Sequence, residues 1–475
     1  MSQHKSQHKS QNEEPTKKAG EPETTESDGK EEGSGKRKTL PTRGRAARDV
    51  LAEMSGFRKR DADWHGGRTF SLVYHDTDEH LQLLREAYGM FLAENALNPM
   101  AFPSLRNMEN DVVAMCAELL GGKEEVVGSM TSGGTESLFL AVKTYRDEAR
   151  KNRPHITAPE MVLPTTAHPA LLKAAHYLGV RPVLIPPGSD FRADVSAMAQ
   201  AITPQTLFLV GSAPAYPHGV VDPIAELGLL AQSQGLPLHV DACVGGLLLP
   251  FVRKLGYPVP GFDFSVAGVT SMSADLHKYG FAAKGASLVL YRTPELRQHQ
   301  FFAYSGWPGG LFGSATFLGT RPGGAIAAAW ACMQTLGENG YLRMASAIME
   351  TARKFIAGIQ AIPGLHVLGK PDCGIVSFAS SGPDVMAIAD RMEERGWHMD
   401  RQQNPPAIHL TLTPTHAGIV DQYLSDLKEA TAYITEHPEL AQQGTAAMYG
   451  MLLHIPDTGL VEDFILKNFD ALYRP

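Results

Sequence analysis

Between residues 104 and 334, short apolar runs alternate with segments whose apolar residues recur at helical spacing. The runs at 161–163, 182–185, 206–210, 237–240, 264–268 and 286–291 have the length and apolar continuity of buried strands. Helical patterns at 135–149, 169–178 and 223–234 lie between several of them, the alternation that builds a mostly parallel sheet covered on both faces. Ahead of these, residues 79–97 predict a helix with Leu81, Leu84, Tyr88 and Leu92 on its apolar face. After a long helical stretch at 325–362 the pattern alternates again: strand 374–378, helix 384–395, strand 407–412, helix 419–434. The chain therefore divides into a polar tail (1–48), an N-terminal helical segment (49–103), a large domain (104–334) and a small C-terminal α+β domain (335–475).

Composition narrows the function classes. Residues 1–48 are rich in Ser, Glu, Lys, Gly and Thr with repeated Ser-Gln-His-Lys units, too polar to offset the entropy of ordering them. His4 and His8 could clasp a metal if helical, but nothing there would hold a helix, and a solvated tail is expected. The 475 residues are 43% hydrophobic, enough for two domains and a large core. A net charge of -8 gives no general attraction for nucleic acid, so an anionic small molecule would need a local cationic pocket. Cys116, Cys243, Cys332 and Cys373 form no CxxC pair, which predicts reduced thiols and neither disulfide nor zinc site; no metal is expected. No apolar stretch reaches the roughly 18 residues that span a bilayer. The best, 236–252, is broken by His239 and Asp241, and no signal-peptide core precedes Phe57. A cytoplasmic protein without an integral membrane anchor is the expectation.

The stretch Asp275-Leu276-His277-Lys278-Tyr279-Gly280-Phe281-Ala282, with Lys284 and Gly285 just after it, puts a His-Lys pair at the exit of an apolar segment. A semi-buried strand end is a place where a lysine can lose its proton and attack an aldehyde. Upstream, His239-Val240-Asp241-Ala242 ends an apolar run in a carboxylate. Such a group needs a cationic partner, though a helix cap or internal salt bridge would also satisfy it. Thr131-Ser132-Gly133-Gly134-Thr135-Glu136-Ser137 sets small residues and two glycines before a helix, whose amides and dipole can receive a phosphate; a plain capped turn has the same composition. Together they supply what pyridoxal phosphate (PLP) requires: a phosphate anchor, a partner for its ring nitrogen and an amine for its aldehyde. His168, in Thr165-Thr166-Ala167-His168-Pro169, falls on the same sheet rim and could stack on the ring or merely cap a helix. Tyr216 and His218, in Ser212-Ala213-Pro214-Ala215-Tyr216-Pro217-His218-Gly219, reach that rim too, in surroundings equally compatible with turn chemistry.

Taken together these motifs resemble the PLP-dependent fold type I enzymes, and among them the group II decarboxylase relatives of the sphingosine-1-phosphate lyase family. The run from Ser273 through Lys284-Gly285 is specific to that family, and Gly319-Thr320-Arg321-Pro322-Gly323-Gly324, Gly396-Trp397 and Pro405-Pro406-Ala407-Ile408-His409 match as well. The resemblance spans residues 71–413. It implies a large domain with a mostly parallel seven-stranded sheet, a small C-terminal α+β domain, and a homodimer with shared active sites. It implies that Lys278 forms the Schiff base, Asp241 pairs with the ring nitrogen, His168 stacks on the ring, and Gly134 and Thr135 hold the cofactor phosphate. Ser212 and His277 complete the cofactor site, and Thr320 reaches it from the neighbouring subunit. Tyr74, Tyr216 and Lys284 match positions for substrate phosphate or catalysis. Asn98 stands where a histidine is expected, which puts one substrate-phosphate contact in doubt. The eukaryotic lyases carry a membrane-spanning segment where this chain has a polar tail, suggesting a soluble bacterial-type enzyme. The implied reaction is retro-aldol cleavage of a phosphorylated sphingoid base, with Tyr216, Lys278 and the cofactor phosphate all candidates for the base. An amino-acid decarboxylase on the same scaffold, or an inactive PLP-binding scaffold protein, is the alternative.

Overall fold

The computed structural model describes residues 39–453 and 458–474; most of the polar tail, with His4 and His8, lies outside the described residues. Residues 58–461 form one compact unit, and residues 39–57 with 462–474 a second, described separately. The smaller contains the helix Ala47–Phe57, on which Leu51, Met54 and Phe57 are exposed.

Seven strands of the larger unit form the central sheet: β1 Val127–Thr131, β2 Glu160–Pro164, β3 Arg181–Ile185, β4 Thr206–Ser212, β5 Leu238–Asp241, β6 Val269–Ala274 and β7 Ser287–Tyr291. Their order is β1-β7-β6-β5-β4-β2-β3, and only β7 runs antiparallel to its neighbours. Side chains of β4 alternate between the two covering layers. Phe208 and Val210 pack with Leu138, Tyr145 and Leu171 of the helices Gly134–Asn152 and Ala170–Leu178, whereas Leu209 packs with Ile224 and Leu227 of Ile224–Gln234. Both faces are thus dry, and β4 is buried from end to end, as a central parallel strand must be.

After the two-stranded ribbon β8 Phe302–Tyr304 and β9 Phe312–Ser314, the helix Gly323–Gln360 runs on, interrupted at Gly337, whose φ of 52° is left-handed. It leads into an antiparallel sheet of β10 Leu365–Val367, β11 Ile375–Ser380, β12 Asp400–Gln402 and β13 Ala407–Thr411, ordered β10-β11-β13-β12. Its core gathers Phe355, Ile359, Phe378, Trp397 and Tyr423.

Two expected elements differ, and one strand of the sheet was not expected. The run 264–268 is a loop, and the strand follows it at Val269–Ala274. Phe264 packs into the main hydrophobic core, and the Arg292 guanidinium, donating to the Phe264, Val266 and Val269 carbonyls, tethers the loop that carries it. Strand β1 was not anticipated: Gly128 and Ser129 mask it, yet a Cβ on Gly128 would lie 2.6 Å from the Val289 carbonyl of β7. The helix expected over 79–97 is Asp78–Met90; it buries His80 and Leu84 and leaves Leu92 exposed. Among the described residues, no helix is long and apolar enough to cross a membrane.

Candidate active site

The carboxyl ends of β4, β5 and β6 lie side by side, with Ser212 paired in register to Asp241 and Asp241 to Ser273. This is the edge of a parallel sheet where ligands bind. A cavity of about 350 Å³ opens there, lined among others by Gly134, Thr135, His168, Asp241, His277 and Lys278. The sequence motifs, separated by up to a hundred residues or more, thus converge on one space.

On one side the turn 132–134 enters the helix Gly134–Asn152, whose first internal bond runs from Ser137 N to the Gly133 carbonyl. The amides of Gly134 and Thr135 therefore have no helical partner and can receive an anion at the positive end of the helix dipole. Glu136 does not oppose this. Its carboxylate accepts bonds from Ser132 N and Oγ (both 2.7 Å) and from the Phe317 and Leu318 amides (2.9 and 3.2 Å), so its charge is already compensated. Gly134 is required by close approach: a Cβ would sit 2.7 Å from Asp275 Oδ2 and 3.0 Å from Cys243 Sγ. A chain of hydroxyls then crosses to the lysine turn, Thr131 to Ser137 (2.7 Å), Ser137 to Ser287 (2.8 Å), and Ser287 to the Ala274 carbonyl (3.3 Å).

Asp241 closes the cavity floor. It accepts from Cys243 N (3.1 Å) and Ser273 Oγ (3.2 Å). Burial works against its charged form but is outweighed by the Cys243 hydrogen bonds and by nearby His168 and Lys278, which hold the carboxyl below its ordinary range. It is therefore a carboxylate able to partner a protonated ring nitrogen. His168 accepts the Ala170 amide at Nδ1 (3.1 Å), which fixes its ring at the strand-to-helix junction. Ser212 Oγ is buried and has no hydrogen-bond partner among the described residues.

Lys278 lies in the turn between β6 and β7, with Nζ 2.9 Å from Asp275 Oδ2. The expectation of a readily deprotonated amine is corrected here. Burial favours the neutral amine, but the Asp275 charge overrides it and raises the lysine above its usual range. His277 Nδ1 accepts the Ala286 amide (3.2 Å), and burial lowers the imidazole to about 4. Asp275, which sequence reasoning quoted but gave no role, is sealed in the cavity wall, and its Oδ1 has no hydrogen-bond partner among the described residues.

A second group lies beyond the lysine. Lys284 Nζ donates to the His277 carbonyl (3.2 Å) and sits 5.2 Å from the centre of the Tyr74 ring. Burial and then the Lys278 charge lower Lys284 to about 8. Tyr74 packs edge-on against Tyr279, and burial pushes its phenol up to about 12, with Lys278 pulling the other way. Tyr216 donates to Asp400 Oδ2 (2.7 Å) and stacks on His409 at 4.3 Å. No motif marked Asp400, which arrives from β12 of the other sheet. Asn98 and Thr320 are exposed and do not line the cavity; Asn98 Oδ1 instead accepts the Met100 and Ala101 amides. Arg321 is engaged with Glu109 in a bidentate pair of 2.7 and 2.9 Å. Away from the cavity, His65, His75 and Asp78 bring ligand atoms within 4.8 Å of one another, a grouping the sequence spacing did not suggest.

The residues present fit PLP. A glycine cradle that a single Cβ would fill faces a helix N-terminus, a carboxylate lies on the floor, and an amine stands in the wall. Comparisons with known proteins agree. A family model described as the pyridoxal-dependent decarboxylase conserved domain matches residues 62–381. The chain is 45% identical over 446 residues to the sphingosine-1-phosphate lyase of Arabidopsis thaliana, covering 92% of this chain and 81% of that one. It is 40% identical over 439 residues to sphingosine-1-phosphate lyase 1 of Rattus norvegicus, covering 92% and 77%. The solved sphingosine-1-phosphate lyase of Burkholderia pseudomallei is similar with a TM-score of 0.82 at 37% identity, over 90% of this chain and 99% of that one. Glutamate decarboxylase of Lactobacillus brevis, at 17% identity and a TM-score of 0.74 over 84% and 96%, shares the fold.

Proposed function

Since the chain belongs to the sphingosine-1-phosphate lyase family, within the pyridoxal-dependent decarboxylases, we propose that it is a PLP-dependent carbon–carbon lyase acting on sphingosine 1-phosphate. The reaction is retro-aldol scission of the C2–C3 bond, giving a long-chain aldehyde and phosphoethanolamine. The carrying observation is that Lys278, Asp241 and the Gly134-Thr135 amides, drawn from three motifs, line one cavity.

Bound there, PLP supplies a cationic ring that accepts the electrons of the breaking bond. Asp241 would pair with the ring nitrogen, and His168 would stack on the ring. Gly134 and Thr135 would hold the phosphate, with Ser212 and His277 beside them and Thr320 contributed by a second copy. Lys278 would supply the amine for the aldehyde and a group able to carry a proton. Lys284 and Tyr74 would receive the substrate phosphate, the local cationic pocket that an acidic protein needs, whereas Asn98, exposed and bonded to the Met100 and Ala101 amides, adds no charge there. Tyr216, Lys278 and the cofactor phosphate are the candidates for the base that takes the C3 hydroxyl proton.

The homodimer reading is supported by an apolar surface on the β8–β9 ribbon, where Tyr304, Trp307, Leu311 and the nearby Phe317 are exposed close in sequence to Thr320. Four free, buried cysteines accord with a reducing cytoplasm. Within the larger unit, we read the seven-stranded sheet as the cofactor domain and the four-stranded sheet as the smaller domain. Incubating pure holo-protein with sphingosine 1-phosphate should release a fatty aldehyde. Carbon dioxide from glutamate or an aromatic amino acid, without aldehyde, would replace the lyase reading with a decarboxylase.

A further inference from the structure

A phenol has one proton, and the structure shows where that of Tyr216 goes. Tyr216 Oη donates to Asp400 Oδ2 at 2.7 Å, while Asp400 Oδ1 accepts from Ser71 Oγ at 3.2 Å. The ring is clamped from below by His409, stacked at 4.3 Å and buried. His409 is in turn fixed by Thr411 Oγ1 (2.9 Å) and by the Gln402 amide (3.2 Å), which also donates to the Pro217 carbonyl (2.6 Å). Two sheets therefore meet at one hydroxyl: the loop after β4 brings Tyr216, and β12 and β13 bring Asp400 and His409.

We propose that Asp400 is a positioning residue for Tyr216: by taking the phenol's single proton, it leaves Tyr216 Oη only lone pairs to offer the substrate. The phenol then accepts a hydrogen bond from the C3 hydroxyl and does not donate one to it. That polarity is the one retro-aldol cleavage needs, because the C3 hydroxyl proton can pass to Tyr216 Oη as the phenol's own proton passes to Asp400 Oδ2, an acceptor that an asparagine amide cannot replace. Burial and Asp400 also raise the Tyr216 phenol above its ordinary range, so it rests as the neutral phenol until the reaction moves its proton. The proposal rests on the lyase reading and on Tyr216 facing C3.

A double-mutant cycle tests it in the holoenzyme, with aldehyde release and KM measured for wild type, Asp400→Asn, Tyr216→Phe and the double variant. Asp400→Asn is expected to lower kcat by about tenfold or more while KM changes less than about threefold, a split that general loss of structure would not produce. In the Tyr216→Phe background the same substitution should cost almost nothing, since both residues act through one hydroxyl. Equal losses in both backgrounds overturn the proposal. So does a Tyr216→Phe enzyme with wild-type kcat, which leaves the lyase reading intact. Absence of aldehyde from wild-type holoenzyme overturns the lyase reading itself.

Discussion

Lys278 and Asp275 form an ion pair of 2.9 Å in which the carboxylate is sealed from solvent and its second oxygen has no partner among the described residues. Before cofactor arrives, this pair keeps the lysine as an ammonium ion, and an ammonium ion cannot attack an aldehyde.

Capture of PLP by apo-protein should therefore accelerate with rising pH. Asp275→Asn removes the charge that raises Lys278, so the capture curve should move to lower pH by a unit or more, about tenfold faster at neutral pH. Rapid-mixing absorbance across a pH series reads this directly; an unmoved curve would show that Asp275 does not control the amine. Lys278→Ala should abolish both turnover and borohydride-stable attachment of the cofactor.

Lys284 titrates at about 8, lowered by burial and by Lys278. Its positive charge is present below that pH and lost above it, so KM for a phosphorylated substrate should rise as pH climbs through 8. Lys284→Ala should remove that limb and harm phosphorylated substrates more than an unphosphorylated analogue. Equal harm to both would assign Lys284 to the chemistry instead.

Gly134→Ala places a methyl 2.7 Å from Asp275 Oδ2 and 3.0 Å from Cys243 Sγ. The variant should bind PLP at least about tenfold more weakly, an expectation scaled to about 1.4 kcal/mol of lost contact. Fluorescence titration of apo-protein with PLP measures this. Unchanged affinity would mean that the helix entrance is not the phosphate anchor.

Acid stability follows from several buried imidazoles, His239, His409 and His416 among them. Burial holds His239, His409 and His416 at about 4, while an unfolded histidine binds its proton near 6.5. Between these values the unfolded chain carries more protons, so stability present above pH 6.5 is lost as pH falls toward 4. Each histidine contributes at most about 1.4 kcal/mol per pH unit. Denaturant unfolding from pH 7 to 4.5 should show the slope, and His416→Gln should flatten it.

That Gly134, His168, Asp241 and Lys278 share one cavity was legible because each sits where a strand ends or a helix begins, and local patterning marks such places. Asp400 was not legible. Its partner Tyr216 lies 184 positions away, and no periodicity links a three-residue edge strand to a loop in another sheet. Strands β1 and β6 escaped for a related reason: Gly128, Ser129, Ser271 and Ser273 are small and polar, yet they are buried by a sheet covered on both sides. Leu92 erred the other way, an apolar residue in a helical rhythm that ends at Met90.

The relay of hydroxyls from Thr131 through Ser137 and Ser287 to the Ala274 carbonyl ties the glycine turn and the end of β6, just ahead of Lys278, to a single scaffold. Such a scaffold works as a ruler whose two marks cannot drift apart independently. A coenzyme homologue one methylene longer between ring and phosphate should then bind more weakly than the natural vitamer.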